Sequence, residues 1–329
     1  MDDLERTLSE LAAAMQGHRE AFAGRETPAP GPQAKAAISA DPRTVLLKRL
    51  LGHIEAHAGL RVDEAIQAKL RNALASVGLV ELSNWIVGLE ALPRDHSHWL
   101  TLLENLTTNE TYLFRDWPQL ELLRTKGLGP LIASSAQQSR FALKLWSAGC
   151  SSGEEPYSLA ILALEAMAAA GAAKETLHEI ALARPWSLDV LGTDISPVML
   201  VQARNGIYGT GSLSAFRVTP RPLLRFFPRA EGEAENRNRT VRQDIRRHVR
   251  FEHGNLMQPR PQAGGFDVVA CRNVLVYFAP QPRKVAQAHI EAAVRPGGFL
   301  LLGPTDTPPD ARRFETIWSD RAVMYRKRD

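Results

Sequence analysis

Residues 145–158, LWSAGCSSGEEPYS, place an apolar run, a turn bearing Gly149 and Gly153, and a helix start in direct succession. This order is typical of an α/β sheet, in which such turns lie at the edge that binds nucleotide-like ligands. The first helical turn carries Glu154 and Glu155, which would repel a pyrophosphate, and the glycines miss the Gly-x-Gly-x-x-Gly spacing. A cationic ligand such as S-adenosylmethionine suits this charge better. The alternative is that the two glutamates only complement the helix dipole.

Downstream of this turn, strand-like apolar runs alternate with helical segments. This alternation predicts a mainly parallel sheet covered by helices. We predict that the last strand begins after the segment Arg295-Pro296-Gly297-Gly298, which is typical of a tight turn. Five strands are predicted in all: Ala142–Ser147, Asp189–Thr193, Val249–His253, Phe266–Cys271 and Gly298–Gly303.

The length of 329 residues suffices for about two domains with their own cores. Residues 1–40 combine a short amphipathic helix with a flexible linker rich in Ala, Pro and Gly. Residues 41–105 open with the helix-start pair Asp41-Pro42 and carry helical periodicity, which predicts a small all-helical domain. Residues 106–329 form the predicted α/β domain, and within it the segment 206–250 is a basic, turn-rich insertion.

Composition excludes several classes of protein. The formal net charge of +4 gives no overall polyelectrolyte attraction, so we expect no nucleic acid as a partner. The two cysteines are far apart and lack metal-ligand spacing, so we expect neither a disulfide framework nor a metal site. The chain has no apolar run of about 18 residues and no signal-peptide pattern. We therefore expect a cytoplasmic protein with no membrane insertion.

Three further segments place polar residues directly after predicted strands, where open α/β sheets bind ligands. Asp194 could accept both hydroxyls of a ribose, or alternatively cap the helix that follows it. Asn255 and Leu256 would suit an adenine edge. In the segment 271–278, an apolar strand runs into polar and aromatic residues, of which Tyr277 could equally be an ordinary half-buried packing residue.

A fifth polar segment, Thr107–Asp116, precedes the sheet at the predicted domain junction, a position that favours ligand clefts. The alternative is an ordinary capped helix start with an exposed arginine, Arg115. The four segments that follow predicted strands are together much more specific than any one of them.

These segments resemble the chemotaxis receptor methyltransferase (CheR) family, whose members transfer a methyl group from S-adenosylmethionine to receptor glutamates. The matching sequence covers about Leu106 to Gly303, with a weaker match from about Thr44: LTTNETYLFRD, LWSAGCSSGEEPYSLA, GTDIS, ARNGIY, GNL, FDVVACRNVLVYF and PGGFLLLG. The resemblance implies a Rossmann-like S-adenosylmethionine-dependent methyltransferase domain with a small β-subdomain at 206–250, preceded by a small all-helical domain. It implies cofactor contacts from nine residues: Asn109, Thr111, Arg115, Glu155, Asp194, Asn255, Leu256, Arg272 and Asn273. Arg115 and Tyr277 would lie nearest the transferred methyl group.

The implied reaction needs few catalytic groups. A glutamate carboxylate is ionised near neutral pH, so no general base is required. In-line methyl transfer to it neutralises charge, so catalysis rests on positioning and desolvation and yields S-adenosylhomocysteine and a glutamate methyl ester. Arg115 would orient a carboxylate of either the cofactor or the substrate, and Tyr277 would line the transfer channel. Of the acidic pair, Glu155 is the predicted cofactor contact and Glu154 the helix-dipole complement.

The implied partner is the cytoplasmic helical region of a methyl-accepting chemoreceptor, and we expect a monomer. The arginines of the insertion could hold an acidic receptor tail, although most such charge runs are solvated faces. Two departures from the family stand out. The second helix of the helical domain offers only Arg61, Lys69 and Arg71, which favours weaker receptor recognition or a different acidic partner. Residues 303–306, GPTD, replace a Gly-His-Ser-Glu type run.

Two other hypotheses remain open at this stage. The first is a methyltransferase that acts on a different protein or on a small acid. The second is a non-catalytic signalling scaffold that retains the cofactor-binding fold. The intact polar segments NETYLFR, GEEPYS and RNVLVYF argue against a scaffold, which need not keep polar cleft residues.

Overall fold

The computed structural model describes residues 41–93, 96–107, 110–210, 214–229, 238–259 and 265–329. The chain divides into two compact units, of which the first ends at Thr107 and the second covers the remainder. In the ranges just given, no helix combines the length and the apolar character that crossing a membrane requires. The amphipathic helix predicted within residues 1–40 lies outside the described residues.

The first unit contains four helices in its described part: α1 Pro42–Ala58, α2 Glu64–Ala73, α3 Leu79–Glu90 and α4 Ser97–Leu106. Asp41 caps α1, since its carboxylate accepts the Thr44 N–H at 3.3 Å. Gly59 adopts a left-handed conformation, with φ at 73°, and ends that helix. Leu50 and Ile54 lie fully buried on one face of α1, as the apolar periodicity predicts.

The second unit alternates strands and helices, and its elements follow in chain order. It begins with α5 Trp117–Leu122, a π-helical turn Leu123–Leu128, α6 Gly129–Gln137, β1 Ala142–Ala148 and α7 Glu154–Ala169. Next come β2 Ala173–Glu175, β3 Ile180–Leu182, β4 Ser187–Asp194, α8 Pro197–Asn205 and β5 Ile207–Tyr208. A 3₁₀ helix Arg221–Phe226, β6 Arg239–Thr240, α9 Gln243–Arg246, β7 Val249–His253 and β8 Phe266–Cys271 follow. The chain then forms a 3₁₀ helix Leu275–Tyr277, α10 Pro280–Ala293, β9 Val294–Leu302, β10 Phe314–Ser319 and β11 Ala322–Lys327.

A seven-stranded sheet in the order β10-β11-β9-β8-β1-β4-β7 organises this unit. The five strands from β9 to β7 pair in parallel, whereas β11 and β10 are antiparallel. From β1 the chain builds β4 and β7 on one side and β8 and β9 on the other. This reversal of strand order opens a crevice at the carboxyl ends of the strands. The expected mainly parallel α/β architecture is confirmed.

Both faces of the sheet are covered. Leu145 packs into a core that includes α7, and the next residue, Trp146, packs into a second core that includes α10. Successive residues of a strand point to opposite faces, so an apolar run without alternation is what a doubly covered strand requires. This explains why the central strands are readable from the sequence.

The start of β9 differs from the prediction. The strand begins at Val294 rather than at Gly298, because the Arg295–Gly298 stretch is not a turn before the strand but an irregularity within it. Phe266 pairs with Val294, whereas Val268 pairs with Phe299, so the register shifts there. Gly297 supplies a positive φ of 71° at this bulge.

The insertion carries a two-stranded antiparallel sheet in its described part. In this sheet, β5 pairs with β6, Ile207 opposite Thr240 and Tyr208 opposite Arg239. Leu223 and Phe226 of the 3₁₀ helix are buried in the same core as α7. In its described part, the insertion therefore packs onto the core that lies on the α7 face of the sheet.

Candidate active site

The turn after β1 is fixed by two glycines and by the end of β4. Gly149 and Gly153 have φ values of 81° and 95°, which other residues rarely adopt. A Cβ on Gly153 would lie 2.8 Å from the Ala203 side chain. The N–H groups of Gly149 and Cys150 both donate to the Thr193 carbonyl, at 2.8 and 2.9 Å. The turn therefore presents a compact backbone surface at the carboxyl edge of β1 and β4.

Asp194 closes the same corner from the end of β4. Its Oδ2 accepts the Ser151 N–H at 2.8 Å, and its Oδ1 accepts the Ser196 N–H at 2.9 Å. Burial raises the pKa of this carboxyl, and these backbone donors oppose that rise. The helix cap is Ser196, whose hydroxyl accepts the Met199 N–H at 3.1 Å, so the alternative that Asp194 caps α8 is wrong. Ile195 is a third backbone donor to this carboxylate, which still has acceptor capacity for a ligand hydroxyl.

Glu155 and Arg272 form the centre of a network that joins three segments. Glu155 accepts the Ser147 hydroxyl at 2.7 Å through Oε1, and its Oε2 lies 3.1 Å from Nη1 of Arg272. The Arg272 side chain is only 2% exposed. Its Nη2 donates to the Arg115 carbonyl and lies 3.2 Å from Oδ2 of Asp116. Three predicted site residues, Glu155, Arg272 and Arg115, are thus brought together, and the sequence interpretation missed the part played by Asp116.

Glu154 differs from its neighbour. It lies in the first turn of α7, as a helix-dipole complement would, but it is buried, with a relative exposure of 4%. Burial raises its pKa to about 7, opposed by a hydrogen bond at 2.8 Å from the Ser152 hydroxyl. An exposed dipole complement would not show this environment.

Arg115 lies in a backbone segment of unusual conformation. Its Nη1 donates to the Glu110 carbonyl at 2.7 Å, and its guanidinium carbon lies 5.5 Å from the centre of the Tyr112 ring. Its Nε is buried and has no hydrogen-bond partner in the described part of the chain. Thr111 lies in the same segment, half-buried. Asn109, the remaining predicted contact in this stretch, lies outside the described residues.

The other predicted residues follow β7 and β8. Asn255 forms a local turn in which its Oδ1 accepts the Met257 N–H at 2.9 Å, and Leu256 is buried in the core on the α10 face. Asn273 adopts a left-handed conformation, with φ at 60°, and its buried Oδ1 has no hydrogen-bond partner among the described residues. Tyr277 is 39% exposed. The Arg272 network does not include Leu256 or Tyr277.

Asp306 is a buried carboxylate that follows β9, in the stretch where the sequence departs from the family pattern. Its Oδ2 accepts the Gly303 N–H at 2.8 Å, and burial raises its pKa. A Cβ on Gly303 would lie 2.9 Å from the backbone nitrogen of Asn273. The departure at 303–306 therefore borders the loop after β8, a proximity that sequence spacing does not reveal.

The fold and the site define an open, doubly covered α/β sheet protein, a class in which nucleotide-like ligands bind at the carboxyl ends of the strands. The family model described as "CheR methyltransferase, SAM binding domain" matches residues 109–323. Chemotaxis protein methyltransferase Cher2 of Pseudomonas putida is 31% identical over 73% of this chain and 81% of its own. Chemotaxis protein methyltransferase 1 of Pseudomonas aeruginosa is 33% identical over 68% and 76%. The chemotaxis protein methyltransferase of Escherichia coli is 30% identical over 74% and 76%. The chain belongs to the CheR methyltransferase family.

The donor and acceptor groups of the site fit S-adenosylmethionine, the cofactor of this family. The Asp194 carboxylate can accept ribose hydroxyls, and the unpartnered Nε of Arg115 is a donor suited to a carboxylate. Asn273 contributes an unpartnered oxygen acceptor. The compact glycine turn lets a ligand approach the backbone closely. Bound there, the cofactor supplies an electrophilic methyl group on a sulfonium.

Proposed function

We propose that the enzyme methylates glutamate side chains of a chemoreceptor-like protein in the cytoplasm and produces methyl esters. The observation that carries the proposal is the network in which Arg272 holds Glu155 and the Arg115 carbonyl at the carboxyl edge of the sheet. This network fixes the segment that contains Arg115 against the start of α7. The names of the three relatives support a role in chemotaxis.

The chemistry of the site favours an acceptor that is already ionised. Cys150 and Cys271 are both buried, and burial raises the pKa of each thiol well above its usual value, so neither is an activated nucleophile. A glutamate carboxylate needs no group to remove a proton. We assign to Arg115 the orientation of a carboxylate and to Tyr277 the lining of the methyl-transfer channel. We assign cofactor contacts to the other predicted residues: Asn109, Thr111, Glu155, Asp194, Asn255, Leu256, Arg272 and Asn273.

The experiment that tests this function uses S-adenosylmethionine with a labelled methyl group and candidate receptor cytoplasmic regions. We expect label in receptor peptides that is released as methanol by alkali and that maps to glutamates. Label found only in a small methyl ester would overturn the receptor assignment. Absence of any transfer by a chain that binds S-adenosylhomocysteine would favour the scaffold hypothesis instead.

Replacing Arg115 tests its assigned role. Arg115→Ala should lower methyl transfer about 100-fold or more, since one preorganised donor is commonly worth that much. Thermal unfolding should stay within a few degrees of the wild type, because the network contact of Arg115 with Arg272 uses its backbone carbonyl. The exposed Arg321 provides the matched control, and Arg321→Ala should transfer methyl groups normally. Full activity in Arg115→Ala would remove Arg115 from the mechanism.

Docking of an acidic receptor tail on the insertion is a further part of the proposal. A shallow depression of about 410 Å³ is lined by four arginines: Arg204, Arg246, Arg247 and Arg250. Arg247 donates one N–H to the Ile180 carbonyl at 3.2 Å and is exposed. We expect Arg247→Ala to raise the KM for a receptor with its tail but not for one without it. Equal KM values for both receptors with the wild-type enzyme would contradict tail docking.

A further inference from the structure

The segment 110–116 has a strained backbone. Phe114 and Asp116 have φ values of 56° and 51°, in the left-handed region that residues other than glycine rarely adopt. Phe114 is moreover fully buried. Such conformations persist only where the surroundings determine them from several sides, and they are concentrated at functional sites. The contacts that hold this segment therefore bear on the position of Arg115.

Three different parts of the unit hold the backbone of this segment. The Ser158 hydroxyl, on α7, accepts the Phe114 N–H at 2.9 Å. Arg272, in the loop after β8, donates to the Arg115 carbonyl. The Ala215 carbonyl, in the insertion, accepts the Leu113 N–H at 2.8 Å. The insertion is thus in direct contact with the segment that carries the predicted catalytic arginine.

The side chain of Arg217, in the insertion, also contacts this segment. Its Nη2 lies 2.6 Å from Oε1 of Glu110, and its guanidinium carbon lies 3.9 Å from the centre of the Tyr112 ring. Arg115 uses the same two residues, through the Glu110 carbonyl and the Tyr112 ring. Because Glu110 is 63% exposed, the ion pair alone would be worth little. Together with the stacking on Tyr112, it holds both of the residues that the Arg115 side chain contacts.

We propose that Arg217 is a positioning residue for methyl transfer, which holds Glu110 and Tyr112 so that Arg115 faces the cofactor. This inference rests on the proposed function, because it acts through the role assigned to Arg115. Within the described residues, Arg217 contacts Glu110 and Tyr112 of this segment. The ion pair and the cation–π contact of Arg217 connect the insertion to the segment that contains Arg115, and this role does not depend on docking of a receptor tail.

The test is calorimetric titration of the full chain with S-adenosylhomocysteine, which needs no receptor. Arg217→Ala should weaken binding about tenfold, the effect of losing one ion pair and one cation–π contact together. Arg217→Lys should fall between this variant and the wild type, because it keeps the charge but loses the planar face. The exposed Arg221, four residues further along, is the matched control, and Arg221→Ala should bind as the wild type does.

A double variant separates positioning from an independent contact. If Arg217 acts through Arg115, then Arg115→Ala/Arg217→Ala should bind no more weakly than Arg115→Ala alone. The proposal would be overturned if the double variant showed the product of the two single-variant losses in affinity. It would also be overturned if Arg217→Ala bound S-adenosylhomocysteine as tightly as the wild type does. Should Arg217→Ala unfold, Arg217→Lys carries the same comparison. Failure to methylate any receptor, with these binding differences intact, would overturn the proposed function but not the part of this inference that concerns cofactor binding through Arg115.

Discussion

Glu154 and Glu155 are adjacent in the sequence, yet the fold gives them different surroundings. Glu155 has a hydroxyl donor on one oxygen and a buried guanidinium beside the other. Glu154 is buried with the Ser152 hydroxyl as a donor, and its pKa is raised to about 7. Sequence reasoning could favour Glu155 as the functional member, but the burial of Glu154 depends on packing that adjacent positions do not encode.

The raised pKa of Glu154 has a consequence for stability. The pKa of Glu154 is about 7 in the folded state and 4.5 ordinarily. At pH values between these two, the folded protein keeps a proton on Glu154 that the unfolded chain releases. The free energy of unfolding therefore falls as the pH rises through this range, and the full loss of stability is reached above the folded-state pKa. Glu154→Gln is neutral throughout and should be more stable than the wild type at pH 8, by roughly 1–3 kcal/mol. Urea unfolding at pH 8 and pH 5 measures the difference, which should shrink at the lower pH.

The control for this prediction is an exposed glutamate of the same unit. Glu179→Gln should leave the free energy of unfolding nearly unchanged at both pH values, because surface substitutions seldom exceed about 0.5 kcal/mol. A Glu154→Gln variant that is less stable than the wild type at pH 8 would mean that the ionised carboxylate has a stabilising partner.

At the scale of elements, the turn after β1 packs against the loop after β8. A Cβ placed on Gly149 would lie 2.6 Å from Cγ2 and 3.0 Å from Cγ1 of Val274. The glycine also has a φ of 81°. Both the backbone conformation and the close approach therefore favour glycine at this position. The three nearest atoms all belong to the Val274 side chain, and the two that lie closest are its methyl groups.

These two requirements can be separated by substitution. Gly149→Ala should lower the free energy of unfolding by about 2–4 kcal/mol, through backbone strain and overpacking together. Gly171 has a φ of 73° and open space around it, so Gly171→Ala should cost only the strain, about 1–2 kcal/mol. In a double-mutant cycle measured by urea unfolding, Gly149→Ala/Val274→Ala should be more stable than the sum of the two single losses predicts. We expect the free energy of unfolding to exceed that predicted value by about 1 kcal/mol or more. Strictly additive effects would show that the contact does not set the cost.

Elements were predictable where their burial leaves a simple pattern. The strands β1, β4 and β8 consist mainly of buried apolar residues, which the sequence shows as apolar runs. The strand β7 instead alternates apolar with charged residues, a period-2 pattern that also predicts a strand. The antiparallel strands β10 and β11 were missed, since most residues of Phe314–Ser319 are exposed or half-buried and carry no strong pattern. The bulge in β9 was mistaken for a turn because Pro-Gly-Gly favours both.

At the scale of the whole molecule, strand order and the assembly of the site depend on contacts distant in sequence. The last strand, β11, lies inside the sheet between β9 and β10. Gln119 bridges β9 and β11 by donating to the Leu302 and Val323 carbonyls, at 2.9 and 2.8 Å. Likewise, the meeting of Glu155 with Arg272 spans more than a hundred residues. The resemblance to a family could name such residues, but spacing could not give their partners.

Cofactor binding should be visible in the unfolding of the full chain. A ligand that binds only the folded state at 100 times its Kd stabilises by about 2.7 kcal/mol. For a unit of this size, that corresponds to a Tm increase of roughly 5–10 °C. We expect S-adenosylhomocysteine to produce this increase in a calorimetric scan, in the transition of the unit that contains β1. NAD⁺ at the same concentration is the matched control and should cause no increase, because the carboxylates at the start of α7 disfavour its pyrophosphate. A Tm that responds equally to both ligands would contradict a cleft selective for the cationic cofactor and its product.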